Sequence, residues 1–256
     1  MTQRQASFTT FVGERAHTCG VVVDCRDDAR EFVASDLARL ATAAHRADAR
    51  AFGKVAVLRH DGVAVYQTDA GNNIAPVFCG NATAAALRFL HQRGSYSTTV
   101  RNDDLRHNVR ARITANEVAQ SWLVPRPEIK ELRWRGQRVI LIDTLNPYAL
   151  IVGRLPDDTT AEAARNELVG AGLASKLAVI GQASIEFYNA NGRHGAAPQT
   201  GLATMALAAR AVPWFAELLL GMPSLPPIAK NKDGRLAIAM PTVTVELREL
   251  ALPQAA

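Results

Sequence analysis

Two side chains in the first half of the sequence have the chemistry of acid/base catalysts. Cys79 stands directly before Gly80-Asn81 and a predicted helix, where unpaired backbone N–H groups and the helix dipole stabilise a thiolate. Lys54 begins the apolar strand sequence KVAVL, and a lysine that points into a dry cleft can lose its proton near neutral pH. Each residue also has an ordinary explanation, because cysteines often pack as small hydrophobes and lysines are mostly solvated. The residues alone therefore make Lys54 and Cys79 candidates.

Other polar residues lie at predicted turns and helix starts, where they could bind the oxygens of an anion. Thr200-Gly201 heads an alanine-rich helix, and the backbone donors there form an anion site, with ordinary capping by Thr200 as the alternative. Asn146 precedes Pro147 in a predicted turn, and His194 lies in a predicted loop. A turn residue or a hydrogen-bonded surface group would explain both equally well.

The elements that must position these residues follow the same order in both halves of the chain. Each half reads as strands, a helix, further strands, and then an alanine-rich helix after a tight turn. A helix that is apolar all round must be buried, so sheet is expected around each of them. Thr159 or Thr160 is the predicted cap of the third helix. The order indicates an internal duplication, and the prolines in WLVPRPEIKEL predict lobes at 1–124 and 125–256.

Composition and charge exclude several classes of function. The 256 residues are 48% hydrophobic and 21% charged, as in an ordinary globular protein with two domains. The net charge of +5 is scattered along the chain without a nucleic-acid-binding motif, so an anionic small substrate explains it better than nucleic acid. No apolar stretch predicts a membrane segment or a signal core, and three cysteines without a metal-binding pattern favour a reducing compartment. We therefore expect a cytoplasmic protein.

Separated stretches of the chain, taken in order, resemble motifs of the diaminopimelate-epimerase-like superfamily. CGN at 79–81 looks like its first signature, and LNP at 145–147 is similar to its Asn-Pro turn. GRHGAAPQTGLATMALAARAVP resembles a helix of its methylaconitate isomerase and oxalomesaconate tautomerase branch. ERAHTCGVV, with Arg15, Thr18 and Gly20, is similar to the opening Arg-Gly-Gly-Thr-Ser-Lys-Gly stretch of that branch, and GKVAV to its Ser-Lys-Val strand. AMPTV resembles its late His-Pro-Ser-Gly element, with Met in place of His.

This resemblance implies a fold and an activity. The fold would be α+β, with two pseudo-symmetric lobes that are each a curved sheet wrapped around a central helix. The activity would be a cofactor-independent isomerase, without metal, that moves a proton on a small unsaturated di- or tricarboxylate by an allylic 1,3-shift or a keto-enol tautomerisation. Lys54 would be the base and Cys79 its partner acid/base. The residues implied as substrate contacts are Arg15, Thr18, Asn81, Asn146, His194, Thr200 and Gly201.

Two alternatives stay open at this stage. An amino-acid racemase or epimerase needs acid/base groups on both faces of a carbon, and the epimerases of this superfamily carry a second cysteine before a Gly-Thr-Gly helix start. Here that place reads Pro198-Gln199-Thr200-Gly201. A non-catalytic protein that only binds a ligand is the other alternative, because a fold alone does not establish activity. The assembly state is open, with a homodimer among the alternatives.

Overall fold

The computed structural model describes the backbone of most of the chain. The described residues are 7–13, 18–26, 33–47, 53–68, 74–91, 97–102, 105–115, 117–156, 159–172, 176–181, 184–189, 192–193, 198–220 and 225–249. The chain divides into two units, the first made of Met1–Trp122 with Pro241–Ala256 and the second of Leu123–Met240.

The strands and helices alternate in a way that gives an α+β architecture, as predicted. In chain order they are β1 (Ser7–Gly13), β2 (Thr18–Asp24), α1 (Ala34–Ala47), β3 (Gly53–Arg59), β4 (Gly62–Thr68), β5 (Ile74–Pro76), α2 (Gly80–His91), β6 (Ser97–Asn102), β7 (Leu105–Thr114), β8 (Glu117–Val124), β9 (Glu128–Trp134), β10 (Gln137–Asp143), β11 (Tyr148–Val152), α3 (Ala161–Gly170), β12 (Lys176–Ile180), β13 (Ile185–Asn189), β14 (Gly192–Arg193), α4 (Gln199–Ala211), α5 (Pro213–Leu218), β15 (Ile228–Lys230), β16 (Leu236–Ala239) and β17 (Val243–Glu249).

In the first unit, a closed ring of strands surrounds the helix α2. The pairing order is β8-β17-β1-β2-β3-β4-β6-β7, and β7 pairs again with β8. Helix α2 packs against strands around this ring, and its residues from Gly80 to Leu87 are all buried. The small side chains of Ala82 and Ala84 let the sheet approach closely, because a helix can be enclosed only if no bulky or charged residue keeps the strands away.

The strand β17 corrects the predicted domain boundaries. The prolines of WLVPRPEIKEL predict one C-terminal lobe of residues 125–256, but β17 pairs antiparallel with β1 and with β8. Residues 241–256 therefore belong to the first unit. The strand completes the ring around α2, so the first unit needs it to cover the helix.

The second unit is built on a six-stranded sheet in the order β14-β13-β12-β11-β10-β9. One face packs on α3 through a cluster that includes Ala164, Leu168 and Leu177. The N-cap of α3 is Thr160, whose Oγ1 accepts a hydrogen bond of 3.1 Å from the backbone N–H of Ala163, as predicted for one of the two threonines. The helix α4 packs against β10, and the hairpin of β15 and β16 follows.

The two units repeat one topology. In the first, β1 and β2 are antiparallel, α1 crosses to β3 parallel to β2, and β4 returns antiparallel before β5 and α2. In the second, β10 and β11 are antiparallel, α3 crosses to β12 parallel to β11, and β13 returns antiparallel before β14 and α4. This agreement supports the internal duplication that the order of sequence patterns predicts.

Over the described ranges, the chain has no helix that is long and apolar enough to cross a membrane.

Candidate functional site

Cys79 lies at the N-terminus of the enclosed helix α2. Its carbonyl oxygen accepts hydrogen bonds from the backbone N–H of Thr83 at 2.9 Å and from Thr83 Oγ1 at 2.8 Å. Cys79 is therefore the residue from which the helix starts, and its thiol leaves the backbone beside the N–H groups of the first turn, which have no helical partner. The thiol is free and half-buried. Asn81 is the second residue of the helix and is buried.

A buried hydrogen-bond relay holds the start of α2. The side-chain amide of Gln120 donates to the Gly80 carbonyl at 3.0 Å, and its oxygen accepts from the indole N–H of Trp122 at 3.1 Å. Phe78 packs edge-on against Trp122, with ring centroids 4.7 Å apart. All of these side chains are buried, so the backbone around Cys79 is fixed by the core of the unit.

His107 on β7 completes the surroundings of Phe78. Its ring meets Phe78 edge-on at 5.2 Å between centroids, and its side chain is fully buried. Neither ring nitrogen has a hydrogen-bond partner among the described residues. Desolvation by burial lowers the pKa of His107 from 6.5 to about 4, so the imidazole is neutral at neutral pH. At that pH it packs in the core as a neutral side chain.

Lys54 projects from the face of the sheet that α2 covers. Its neighbours in sequence, Val55 and Val57, pack into the cluster formed with α1 on the opposite face. Successive side chains of a strand alternate between faces, which puts Lys54 on the side of α2. The side chain is half-buried. Gly20 on β2 pairs with Lys54, and a Cβ at Gly20 would lie 2.1 Å from the Lys54 carbonyl oxygen, so this close approach requires glycine.

The strand register brings Lys54 and the segment before Cys79 into one row. Lys54 pairs with Gln67 on β4, and Gln67 pairs with Ala75 on β5. The chain reaches Cys79 four residues after Ala75. Lys54 and the strand that leads to Cys79 thus belong to neighbouring parts of the sheet, and Cys79 and Asn81 belong to the start of α2.

Three of the predicted substrate contacts fall wholly or partly outside the described residues. These are Arg15 and His194, which are outside them, and Thr18, which is the first residue of β2 and is described in its backbone alone, paired with Gly13.

In the second unit, Asn146 lies in the turn between β10 and β11. It is buried, as is Leu145 before it, which has a positive φ of 57°. That left-handed conformation is uncommon for a bulky apolar residue and stores strain that the surrounding core must hold. The Pro147 carbonyl accepts a hydrogen bond of 3.1 Å from the backbone N–H of Lys176, which ties the turn to the start of β12.

The start of α4 bears on the two roles that the sequence left open for Thr200, an anion site and a helix cap. Pro198 is the N-cap, because its carbonyl accepts the first helical hydrogen bond, from Leu202 N–H at 3.0 Å, and it has no side chain that can cap. Thr200 lies inside the first turn and is buried, so the alternative that Thr200 only caps the helix is wrong. Gly201 touches Phe187 of β13, and a Cβ there would lie 2.4 Å from the ring. Glycine is thus required for packing at this position.

Two cavities of the second unit lie apart from the start of α4. One of about 400 Å³ is at the C-terminal end of the helix and is lined by residues that include Arg126, Leu207, Arg210, Lys230 and Leu236. The other, of about 200 Å³, includes Pro147 and Asp143 in its lining. Neither of these two includes Thr200 or Gly201.

Sequence reasoning missed Gln120 and Lys176. Gln120 carries no local signal, since it reaches the start of α2 from 40 positions further along the chain. Lys176 does carry one, because KLAVI at 176–180 repeats KVAVL at 54–58 and falls on the equivalent strand of the second unit. An alignment of the two halves could have found it.

Comparison with solved structures identifies the fold. A phenazine biosynthesis protein of the PhzF family from Bacillus anthracis superimposes with a TM-score of 0.55 at 10% sequence identity. The superposition covers 97% of this chain and 100% of the other. A predicted epimerase from Pseudomonas aeruginosa gives 0.58 at 14% identity, covering 96% of this chain and 99% of the other. No family model and no curated protein sequence matches this chain. The chain thus has the diaminopimelate-epimerase-like fold, as the sequence motifs implied.

Proposed function

We propose that the protein is a cofactor-independent isomerase that moves a proton on a small unsaturated polycarboxylate. The observation that supports this most is the free, half-buried thiol of Cys79 at the N-terminus of an enclosed helix, with Lys54 on the sheet face that covers the same helix. A thiol at a helix start and an amine on a strand are acid/base groups held on rigid elements, which is what the proposed catalysis requires. One of the solved structures with this fold is that of a predicted epimerase, and epimerisation, like the proposed reaction, moves a proton on carbon.

In the proposed reaction, Lys54 in its neutral form removes a proton from the carbon next to the conjugated system of the substrate. The electron pair enters a planar dienolate, whose charge is carried on carboxylate oxygens. Cys79 then returns a proton to the other end of the allylic system, and the double bond is displaced by one position. Backbone and side-chain donors such as those of Asn81 hold the developing negative charge.

The start of α4 favours a 1,3-shift over racemisation. A racemase deprotonates one face of a carbon and protonates the opposite face, so it needs a second acid/base group. In the second unit the equivalent helix starts at Pro198, which has no ionisable side chain. We assign this unit, through Asn146, Thr200 and Gly201, to binding carboxylate oxygens, which a helix N-terminus does well.

The test is proton exchange in deuterated water. The enzyme is incubated with a panel of unsaturated di- and tricarboxylates and of amino acids, and exchange is followed by proton NMR. We expect allylic exchange on a polycarboxylate and no exchange of the alpha proton of diaminopimelate or other amino acids. Lys54→Ala should lower turnover at least a hundredfold, the smaller end of the range of about 10²- to 10⁴-fold for acid/base groups.

The matched control is Lys232→Ala, which removes an exposed lysine of the second unit that lines neither cavity and should leave turnover unchanged. Alpha-deuteration of an amino acid with inversion would replace this proposal by the epimerase alternative. Binding of polycarboxylates without any exchange would replace it by the non-catalytic one. Wild-type turnover in Lys54→Ala would remove the lysine from the mechanism.

A further inference from the structure

The cavity of about 400 Å³ at the C-terminal end of α4 combines apolar and cationic side chains. Leu207 of α4 and Leu236 of β16 are buried and line it together with Pro127. Its charged lining residues are all cationic and exposed, and they are Arg126, Arg210 and Lys230. All of these residues belong to the second unit. The volume lies within the range of about 300–1,000 Å³ that small-molecule sites occupy.

The carboxylates nearest in sequence to these cations are engaged elsewhere. Glu128 forms an ion pair of 3.0 Å with Lys130 and lines the smaller cavity. Asp233, in the turn between β15 and β16, forms an ion pair of 3.8 Å with Arg235 and accepts a hydrogen bond of 3.0 Å from the backbone N–H of that residue. Neither acid is among the described residues that line the larger cavity. The positive charge there is therefore not balanced by a carboxylate of the lining.

Two of the three cations lack a structural explanation. The Nη1 group of Arg210 donates to the Ile228 carbonyl at 3.5 Å, and Arg210 lies in the last turn of α4, where a cation interacts favourably with the helix dipole. By contrast, no hydrogen bond or ion pair joins the side chain of Arg126 or Lys230 to another described residue. Like charges around one cavity repel each other, and a bound anion removes that repulsion.

We infer that this cavity binds a small organic dianion with a charged group at one end and an apolar body at the other. Arg126 and Lys230 donate hydrogen bonds to the charged group, and Leu207 and Leu236 contact the apolar body. The fixed charge of Arg210 adds to the attraction. The C-terminus of α4 opposes it with only about half an elementary charge, which three cations outweigh.

A phosphate monoester and a pair of carboxylates share this chemistry, since both offer oxygens to a guanidinium and an ammonium. The site is separate from the one proposed for catalysis, because neither Thr200 nor Gly201 nor any residue of the first unit lines the cavity. The inference therefore does not depend on the isomerase proposal, and a negative result in the proton-exchange test leaves it unchanged.

The test is a ligand-observed NMR titration of the wild type with phenyl phosphate, phthalate and neutral benzyl alcohol. We expect at least one of the two dianions to bind with a dissociation constant on the order of 1 mM, and benzyl alcohol to bind at least about tenfold more weakly. The tighter dianion identifies the charged group as phosphate or carboxylate. Inorganic phosphate, which has no apolar body, should compete at least about tenfold less well than that dianion.

Variants locate the bound dianion. Arg126→Gln and Lys230→Gln should each weaken its binding about threefold, and the double variant about tenfold, because partly solvated contacts contribute modestly and add. Lys230→Arg keeps the charge and should bind nearly as the wild type does. The matched control is Arg154→Gln, which removes the same charge from an exposed position that lines neither cavity and should leave binding unchanged.

Four results would overturn the inference. They are no binding of either dianion, equally tight binding of benzyl alcohol, equally effective competition by inorganic phosphate, and unchanged binding in the double variant. The last result would place the dianion elsewhere on the protein. An equal loss of affinity in Arg154→Gln would show that net charge alone is responsible, which would also contradict a built site.

Discussion

The contact between Gly201 and Phe187 gives the sharpest prediction about the scaffold of the site. Substituting alanine for Gly201 adds a Cβ at 2.4 Å and 2.7 Å from two ring carbons, distances at which something must move. The ring cannot swing freely, because Phe187 is 2% exposed and is held on its other side by Tyr148. The first turn of α4 is therefore expected to shift away from the sheet.

Two opposing effects set the magnitude. Alanine is a better helix former than glycine by about 1 kcal/mol, which favours the variant. Inserting a methyl group into a packed core costs about 1–3 kcal/mol, and the short distances here point to the upper half of that range. We expect Gly201→Ala to lower the free energy of unfolding by about 1–2 kcal/mol.

Urea denaturation of four variants, Gly201→Ala, Gly170→Ala, Phe187→Val and the double variant of Gly201→Ala with Phe187→Val, checks this prediction. Gly170→Ala is the matched control, because Gly170 is also helical but a Cβ there meets nothing within 4 Å, and it should be neutral or stabilising by up to about 1 kcal/mol. In a Phe187→Val background, where the ring is absent, Gly201→Ala should lose its penalty. The reasoning is refuted if Gly201→Ala is as stable as Gly170→Ala, or if its penalty persists without the ring.

Three further predictions concern the first unit. Cys79 should react with iodoacetamide faster than Cys25, which is 2% exposed, and equal labelling by peptide mass spectrometry would count against an accessible thiol. Gln120→Leu leaves the buried Trp122 indole N–H without its acceptor and removes the donor to the Gly80 carbonyl. Urea denaturation should therefore show a free energy of unfolding lower by about 1–3 kcal/mol, and no change for the control Ser121→Ala at an exposed position. Burial lowers the pKa of His107 to about 4, so the unfolded chain binds a proton between about pH 6.5 and 4 that the folded chain does not. Stability should therefore fall by about 2 kcal/mol from pH 7 to pH 5, and a variant His107→Leu that keeps this dependence would show that another group causes it.

The features that could be predicted from sequence are those set by local patterns. The alternation and helical spacing of apolar residues predict the order of elements, and the alanine-rich stretches predict two buried helices, because neither depends on distant parts of the chain. The cap at Thr160 is local as well. The place of β17 in the sheet is not set locally. Its partner β1 lies more than 200 residues earlier, and nothing in the sequence of β17 selects that edge.

The site was harder to predict than the fold, because the role of a site residue depends on contacts with distant parts of the chain. Thr200 resembles a cap by residue type, but Pro198 takes the position because the backbone at the helix entry closes its first hydrogen bond there. Glycine at 201 suggested an anion site, yet the structure also requires it for contact with Phe187. A residue type at a helix start thus leaves the role open until the packing of that turn is known.

The comparison of the two units explains how a duplicated fold could support an asymmetric reaction. The lysines at 54 and 176 stand at equivalent positions, so the sheet offers an amine in both units. The helices differ where it matters for proton transfer, because α2 starts at a cysteine and α4 at a proline. In the proposed mechanism an amine and a thiol both transfer protons in the first unit, whereas the start of α4 has no ionisable side chain that could do so. The proposed mechanism therefore assigns proton transfer to the first unit and the binding of carboxylate oxygens to the helix start of the second.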